Sequence, residues 1–310
     1  MRAVVFAYSN VGDRCLRVLR ARGIDVPLVV THRDAPGETL WFRRVADTAR
    51  DLGLPVLFDD DPADPGLRAA VEAARPDLIF SFYFRSMLSM ALLQSAPRGA
   101  FNMHGSLLPH YRGRAPTNWA VLHDERETGA TLHEMVAKPD AGRIVDQQAV
   151  PILPDDTARE VFDKVTVAAE QVLWRSVPAI VAGTVAYRPN DVARGSYFGA
   201  RRPEDGRIDW SRPAREVYAL IRAVAPPYPG AFTELAGTRV VVGAARLASP
   251  ATAASLPRTR GLHVVEGRIV AVCGDGGAIE IRELLSGGAA LPAESLRPLL
   301  TAQQREGPLQ

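Results

Sequence analysis

The sequence predicts an α/β fold, with a Rossmann-like, mostly parallel sheet followed by a small β-rich, OB-like barrel domain. Three observations predict it. Short apolar runs alternate with helical patterns through the first half, the composition changes after about Tyr187, and glycine-broken β-like runs fill the rest. With 310 residues there is material for two domains. They are read as residues 1–188 and 207–310, joined by a linker over 189–206.

Arg2–Tyr8 is a buried-strand run, and Gly12–Arg22 places Cys15, Leu16 and Leu19 on one helical face. Val26–Thr31 reads as the second strand, Leu40–Leu52 as a helix and Val56–Phe58 as a short strand. Leu67–Ala74 is a helix ended before Pro76, Asp77–Phe82 a strand, Ser86–Gln94 a helix and Ala100–Met103 another strand. This β-α-β-α rhythm belongs to a parallel sheet with helices on both faces, whose ligands bind outside the carboxyl ends of the strands. Thr128–Val136 and Ile144–Ile152 have β character and close the domain. Thr157 and Glu160 form a capping box ahead of a long helix. In that helix Val161, Phe162, Val165, Ala169, Val172 and Leu173 keep the i, i+3, i+4 spacing. Residues 188–207 are rich in Arg, Gly, Pro and Asp, the composition of a linker. Ser211 can cap a helix carrying Val217, Leu220, Ile221 and Val224, which Pro226-Pro227 stops. Gly230–Leu235, Arg239–Ala244, Leu262–Val265, Arg268–Val272 and Ala278–Ile281 read as short strands of a barrel or sandwich. The last dozen residues read as a loose tail.

Composition and missing motifs exclude several functions. The formal charge is +2 with no block of like charges, so no nucleic-acid partner is expected. Cys15 and Cys273 form no CxxC pair, which argues for a reducing compartment. The amino terminus lacks a signal h-region, and no stretch reaches the roughly 18 apolar residues of a membrane span. A cytoplasmic protein without membrane insertion is therefore expected. The turn Tyr8-Ser9-Asn10-Val11-Gly12 is no G-x-G-x-x-G, so NAD is not expected, and no Gly-Lys pair exists for a Walker loop. His133-Glu134 lacks the second histidine of H-E-x-x-H and the six histidines are scattered, so no metal is expected. A G-x-S-x-G nucleophile elbow is absent as well.

The informative stretch runs from Phe101 to Pro116. If the strand continues through it, Asn102, His104 and Ser106 point to one side. That sets a neutral donor, an imidazole and a hydroxyl at the carboxyl end of a parallel strand. Polar residues alternating out of a buried strand oppose packing logic, as functional sites do. Pro109 and Gly113 break the chain beyond, leaving a loop over the site. An isolated N-x-H can also serve only to cap a strand end and satisfy loop backbone.

Asn102-x-His104-Gly105-Ser106-Leu107-Leu108-Pro109 followed by Arg112-Gly113 resembles the signature of the folate-dependent formyltransferases. The resemblance covers essentially the whole chain. It includes Val4-Val5-Phe6-Ala7-Tyr8, Phe80-Ser81-Phe82-Tyr83, Asn118-Trp119, Glu127-Thr128-Gly129 and Asp140-Ala141-Gly142. It continues through Phe198-Gly199, Arg201-Arg202-Pro203 and Pro229-Gly230-Ala231-Phe232. Within the family it is nearest to the branch that formylates UDP-4-amino-4-deoxy-L-arabinose.

The resemblance implies the formyltransferase fold, 10-formyltetrahydrofolate as co-substrate and a catalytic set of Asn102, His104 and Asp140. By its own context Asp140 would pass for a turn residue. In the implied chemistry Asn102 donates to the developing oxyanion, a contribution of about 3–4 kcal/mol at such sites. His104 moves a proton, as an imidazole with an unperturbed pKa of about 6.5 can, and Asp140 orients it. A covalent route through Ser106 lacks a third group to complete a Ser-His pair. The implied folate site is Phe82, Tyr83, Phe84, Arg85, Ser86, Met87 and Leu88 with Val136, Ala141 and Gly142. Met87 and Leu88 read equally as helix core. The implied acceptor residues are Ser106, Tyr111, Arg114, Asn118, Arg201 and Arg202, since arginine forks suit diphosphate oxygens. Arg201-Arg202 reads equally as a solvated pair.

The acceptor implied is the 4-amino group of UDP-4-amino-4-deoxy-L-arabinose, in lipid A modification and polymyxin resistance. The rival is methionyl-tRNA formyltransferase, whose tRNA-binding loop is strongly basic. Here residues 33–48 balance Arg33, Arg43 and Arg44 against Asp34, Glu38 and Asp47. Residues 207–310 carry 12 Arg and 9 acidic residues, a net of +3, which offers little for phosphate neutralisation. Another nucleotide-linked amino sugar and an inactive folate-binding scaffold are the remaining alternatives; intact Asn102, His104 and Asp140 oppose the scaffold. The arabinose branch is often fused to a dehydrogenase/decarboxylase domain. This sequence ends at Gln310 without one, so that step is expected from another protein.

Overall fold

The computed structural model describes residues 1–34, 40–59, 61 and 63–306. Glu38 of the 33–48 charge balance and residues 307–310 of the expected tail lie outside them. The chain divides into two units. The first comprises Met1–Pro116, Glu127–Pro151 and Phe162–Gly199, and the second Thr117–Arg126, Ile152–Val161 and the chain from Ala200.

The elements begin with β1 (Arg2–Ala7), α1 (Ser9–Ala21), β2 (Asp25–Thr31), α2 (Val45–Asp51), β3 (Val56–Phe58), α3 (Pro65–Ala74) and β4 (Leu78–Phe82). Then come α4 (Met90–Leu93), β5 (Ala100–His104), β6 (Arg112–Gly113), α5 (Pro116–Leu122), β7 (Glu127–Glu134), β8 (Ile144–Pro151), α6 (Ala158–Ala182) and β9 (Tyr197–Phe198). Seven strands of the first unit form one sheet in the order β3-β2-β1-β4-β5-β7-β8. The strands from β3 to β5 pair in parallel, while β7 and β8 are antiparallel additions. Both faces of the central strands are covered, which is why Ala3–Ala7 and Leu78–Phe80 are buried without alternation. On α1, Cys15, Leu16 and Leu19 are fully buried, as their spacing predicts.

Three segments depart from the reading of the sequence. The helix expected over Leu40–Leu52 starts only at Val45, because the Arg43 N–H donates to Asn10 Oδ1 (2.9 Å). Trp41 and Phe42 there set their edges against Phe162 and Tyr8, at 5.3 and 5.1 Å. The helix expected over Ser86–Gln94 shrinks to Met90–Leu93. Tyr83 turns left-handed (φ 57°), the Arg85 N–H donates to His32 Nε2 (2.9 Å), and Ser89 caps the short helix through Leu92 N (3.2 Å). The expected linker is not loose: β9 pairs with β6, and Phe198 stacks on Tyr111 at 5.3 Å. Gly113 (φ 96°) makes that possible, since a Cβ there would collide with the Phe198 carbonyl.

The second unit continues with α7 (Ala214–Val224), β10 (Ala231–Leu235), β11 (Thr238–Leu247), α8 (Pro250–Ala254), β12 (Gly261–Val265), β13 (Arg268–Val272), β14 (Ala278–Ser286), β15 (Ala289–Ala290) and α9 (Ala293–Glu306). Its antiparallel sheet, ordered β10-β11-β14-β13-β12 with β15 on β14, is a curled half-barrel, and its longest pairing shifts register between Val242 and Ala245. Asp275, not Ser211, accepts the Ala214 N–H at the start of α7 (3.1 Å); the cap position falls at Pro213, and Ser211 lies two residues before it with its hydroxyl donated to Asp209 (2.6 Å). Most of the expected tail is helical, in α9, where Leu296 is fully buried.

Leu16→Ala should cost about 2–5 kcal/mol of stability, since it empties a fully buried position between α1 and the sheet. Urea unfolding followed by far-UV circular dichroism measures it, and a cost near zero would contradict this packing.

Candidate active site

β5 ends at His104, with Asn102 two residues earlier on the same face. Antiparallel β7 pairs Asn102 with His133 and His104 with Thr131. Asn102, His104 and His133 floor a cavity of about 410 Å³, walled by the loop from Tyr83 to Leu88, by Gly113–Pro116 and by Met135, Val136, Pro139 and Asp140.

The hydrogen bonds assign the protons. His104 Nε2 lies 2.8 Å from the Tyr111 carbonyl, which can only accept, so Nε2 carries hydrogen and neutral His104 leaves Nδ1 bare. That Nδ1 is 3.6 Å from Asp140 Oδ1. His133 Nδ1 likewise donates to the Glu134 carbonyl (2.7 Å), so its Nε2 accepts from Asn102 Nδ2 at 3.1 Å. The same Nε2 lies 3.5 Å from Asp140 Oδ1. Asn102 keeps a second amide hydrogen for the cavity.

Asp140 is a left-handed residue (φ 49°) whose Oδ2 accepts the Gly113 N–H at 2.9 Å. Burial pushes its carboxyl up, but protonation of the His104 or His133 ring beside it and the Gly113 N–H outweigh that and hold it well below the usual carboxylate range. A depressed pKa contributes stability above the unfolded value of about 3.9 and loses it as pH falls through the folded pKa. Asp140 is therefore a carboxylate at any ordinary working pH.

The structure sorts the residues named from sequence. Asn102, His104 and Asp140 meet at the cavity floor, and Tyr83, Phe84, Arg85, Ser86, Met87, Leu88, Arg114 and Val136 line its walls. Phe82 is fully buried in β4, while Ala141 and Gly142 fall outside the lining. Gly142 has a packing reason instead, since a Cβ would strike the Glu134 carbonyl. Ser106 is fully buried and donates its hydroxyl to the His110 carbonyl (2.6 Å), away from the cavity. Tyr111 presents its carbonyl to His104 and its ring to Phe198.

Asn118, Arg201 and Arg202 belong to the second unit. There Asn118 Nδ2 donates to the Ala223 carbonyl (2.8 Å), and the Arg201 guanidinium lies 4.9 Å from the Trp119 ring centre. Burial lowers the Arg201 pKa, with Asp205 opposing, and its Nε is buried without a hydrogen-bond partner among the described residues. The Arg202 N–H is capped by Asp205 (2.7 Å). His133 is the residue that sequence reasoning missed. Its sequence context offers it only as a candidate metal ligand, and the signal of its role is its place on β7 opposite Asn102. Among the described residues no group of three or more His, Cys, Asp or Glu side chains is placed to hold a metal ion.

An amide donor, a base and a buried carboxylate around one cavity are the parts of an acyl-transfer enzyme. Residues 1–177 match the formyl transferase family and residues 201–297 match the formyl transferase C-terminal domain. The chain belongs to the formyl transferase family. Among solved structures it is similar to the N-formyltransferase from Helicobacter canadensis, in complex with folinic acid and dTDP-3-aminofucose, at 20% identity and a TM-score of 0.71, over 90% of this chain and 98% of that one. It is also similar to WlaRD, a sugar 3N-formyl transferase, at 18% identity and a TM-score of 0.69, over 90% and 96% of the two chains. HypX from Aquifex aeolicus, in complex with tetrahydrofolic acid, matches 97% of this chain with 47% of its own, at 18% identity and a TM-score of 0.65.

Asn102→Ala, His104→Ala and Asp140→Ala should each lower kcat by about a hundredfold or more while keeping a cooperative thermal transition. His133→Ala should fall between these and the parent. Steady-state formyl transfer reads all four, and near-parental turnover in any of the first three removes that residue from the chemistry.

Proposed function

We propose that this cytoplasmic enzyme transfers the formyl group of 10-formyltetrahydrofolate to the 4-amino group of UDP-4-amino-4-deoxy-L-arabinose, as in lipid A modification and polymyxin resistance. The observation that carries the chemistry is the convergence of Asn102, His104 and Asp140 on one cavity. The cavity suits a flat heteroaromatic ring: Met87 and Val136 stand 57% and 40% exposed at its wall, apolar surface that a pterin would cover.

The folate supplies an activated formyl group, and the chain supplies the rest. The free amide hydrogen of Asn102 donates to the formyl oxygen as the amine attacks and negative charge develops there. Bare Nδ1 of His104 takes the amine proton, the resulting imidazolium faces the Asp140 carboxylate, and that proton passes to folate N10 as the carbon–N10 bond breaks and tetrahydrofolate leaves. Tyr111's carbonyl keeps the ring in the tautomer this needs. Ser106, with its hydroxyl given to His110, has no part in a covalent route.

The sugar is supported by the sequence resemblance and by Arg114 on the cavity wall, whose guanidinium fork suits diphosphate oxygens. A second reading, a dTDP-linked amino sugar acceptor, is favoured by the ligand of the Helicobacter neighbour. Charge opposes tRNA: Arg44 pairs with Asp34, and Arg43 with Asp51, leaving those guanidinium groups engaged.

Tetrahydrofolate release should be followed with UDP-4-amino-4-deoxy-L-arabinose, dTDP-3-aminofucose and methionyl-tRNA offered separately. Turnover with the UDP-sugar alone is the expected result. Turnover with the dTDP-sugar alone would establish the second reading, and turnover with tRNA alone would overturn both.

A further inference from the structure

We infer that His32, which touches none of the reacting groups, is a positioning residue that holds the folate-binding loop in its binding shape through the lone pair on Nε2. The inference rests on the folate reading above. His32 follows β2 and is 6% exposed. It is not among the residues lining the cavity, but the loop it holds is, through Tyr83, Phe84, Arg85, Met87 and Leu88.

Between β4 and α4 the loop has no helix or ladder of its own, so its backbone groups need partners from elsewhere. One partner is the His32 ring, whose Nε2 accepts the Arg85 N–H at 2.9 Å. An acceptor nitrogen carries no proton, so the ring hydrogen sits on Nδ1. The same ring stacks on Phe84, with centres 4.0 Å apart and planes 18° apart. On another side Tyr8 meets it edge-on at 5.5 Å, and the Arg85 guanidinium lies over Tyr8 at 4.1 Å. One imidazole thus fixes both the backbone of Arg85 and the ring of Phe84.

The next residues show what that fixing decides. Met87 is 57% exposed at the cavity wall while its neighbour Leu88 is buried beneath. A loop released from His32 would have to be ordered by the ligand, and binding would weaken by that cost. Catalytic groups on β5, β7 and Asp140 would keep their geometry, so the loss falls on folate affinity and not on kcat.

Binding of 5-formyltetrahydrofolate to the full chain, by titration calorimetry, tests this with His32→Phe and His32→Gln. Phenylalanine keeps a ring and removes the acceptor; glutamine restores an acceptor at the same number of bonds from the backbone. His32→Phe should weaken binding about tenfold, with kcat at saturating folate within about threefold, and His32→Gln should bind within about threefold of wild type. If His32→Phe shows no cooperative thermal transition, His32→Asn, whose acceptor falls one bond short, replaces it with the same expectation. Equal affinity in the acceptor-lacking variant and wild type, or equal losses in that variant and His32→Gln, overturns the inference alone. No binding by the wild type overturns the folate reading, and the inference with it.

Discussion

The antiparallel pairing of β7 with β5 is the constraint on which the site depends, because it sets Asn102 opposite His133 and His104 opposite Thr131. Side chains alternate along a strand, so a slip of one residue would bring Phe101 and Met103 to this face in place of the amide and the imidazole. β7 also secures the loop that follows β5. Thr131 Oγ1 donates to the Ser106 carbonyl (2.6 Å) and accepts from Leu108 N–H (3.1 Å), so the turn after His104 is tied to the strand beside it. From there the chain passes to Tyr111, whose carbonyl fixes the His104 tautomer, and to Gly113, whose N–H holds Asp140. A single strand register thereby governs three separated groups of the candidate site.

Electrostatics completes the arrangement. A buried carboxylate is costly unless it is paired and hydrogen-bonded. Both imidazoles lie within 3.6 Å of Asp140 Oδ1, and a backbone N–H holds its second oxygen. The two imidazoles differ in their bound carbonyls, which leaves Nδ1 bare on His104 and Nε2 bare on His133. One bare nitrogen faces Asp140 and can take a proton; the other already holds Asn102.

The sequence made the parallel sheet and the N-x-H site legible because both depend on local rules. Buried strands read as apolar runs, and Asn102 and His104 stand out as polar residues where packing wants none. Asp140 was legible only through family resemblance, since nothing local distinguishes a turn aspartate from a catalytic one. His133 and Thr131 were missed because their meaning lies in cross-strand register, which no local pattern records. Ser86–Ser89 reads as the start of a helix for a similar reason: the loop it belongs to takes its backbone partner from His32, 53 residues before Arg85. Residues 189–199 looked like a linker by composition, yet their glycines permit close approach, with Gly195 packed on the Pro109 carbonyl and β9 paired to β6. Ser106 alternated correctly by number but lies past the strand end, where its hydroxyl serves the loop.

The central claim is that Asn102, His104 and Asp140 surround the transferred formyl group. A crystal structure with 5-formyltetrahydrofolate bound tests it most directly. The account predicts the pterin against Met87 and Val136, with the formyl oxygen about 3 Å from Asn102 Nδ2 and the formyl carbon on the side of His104 Nδ1. A folate bound elsewhere, or bound here with its formyl group turned away from all three side chains, would contradict it.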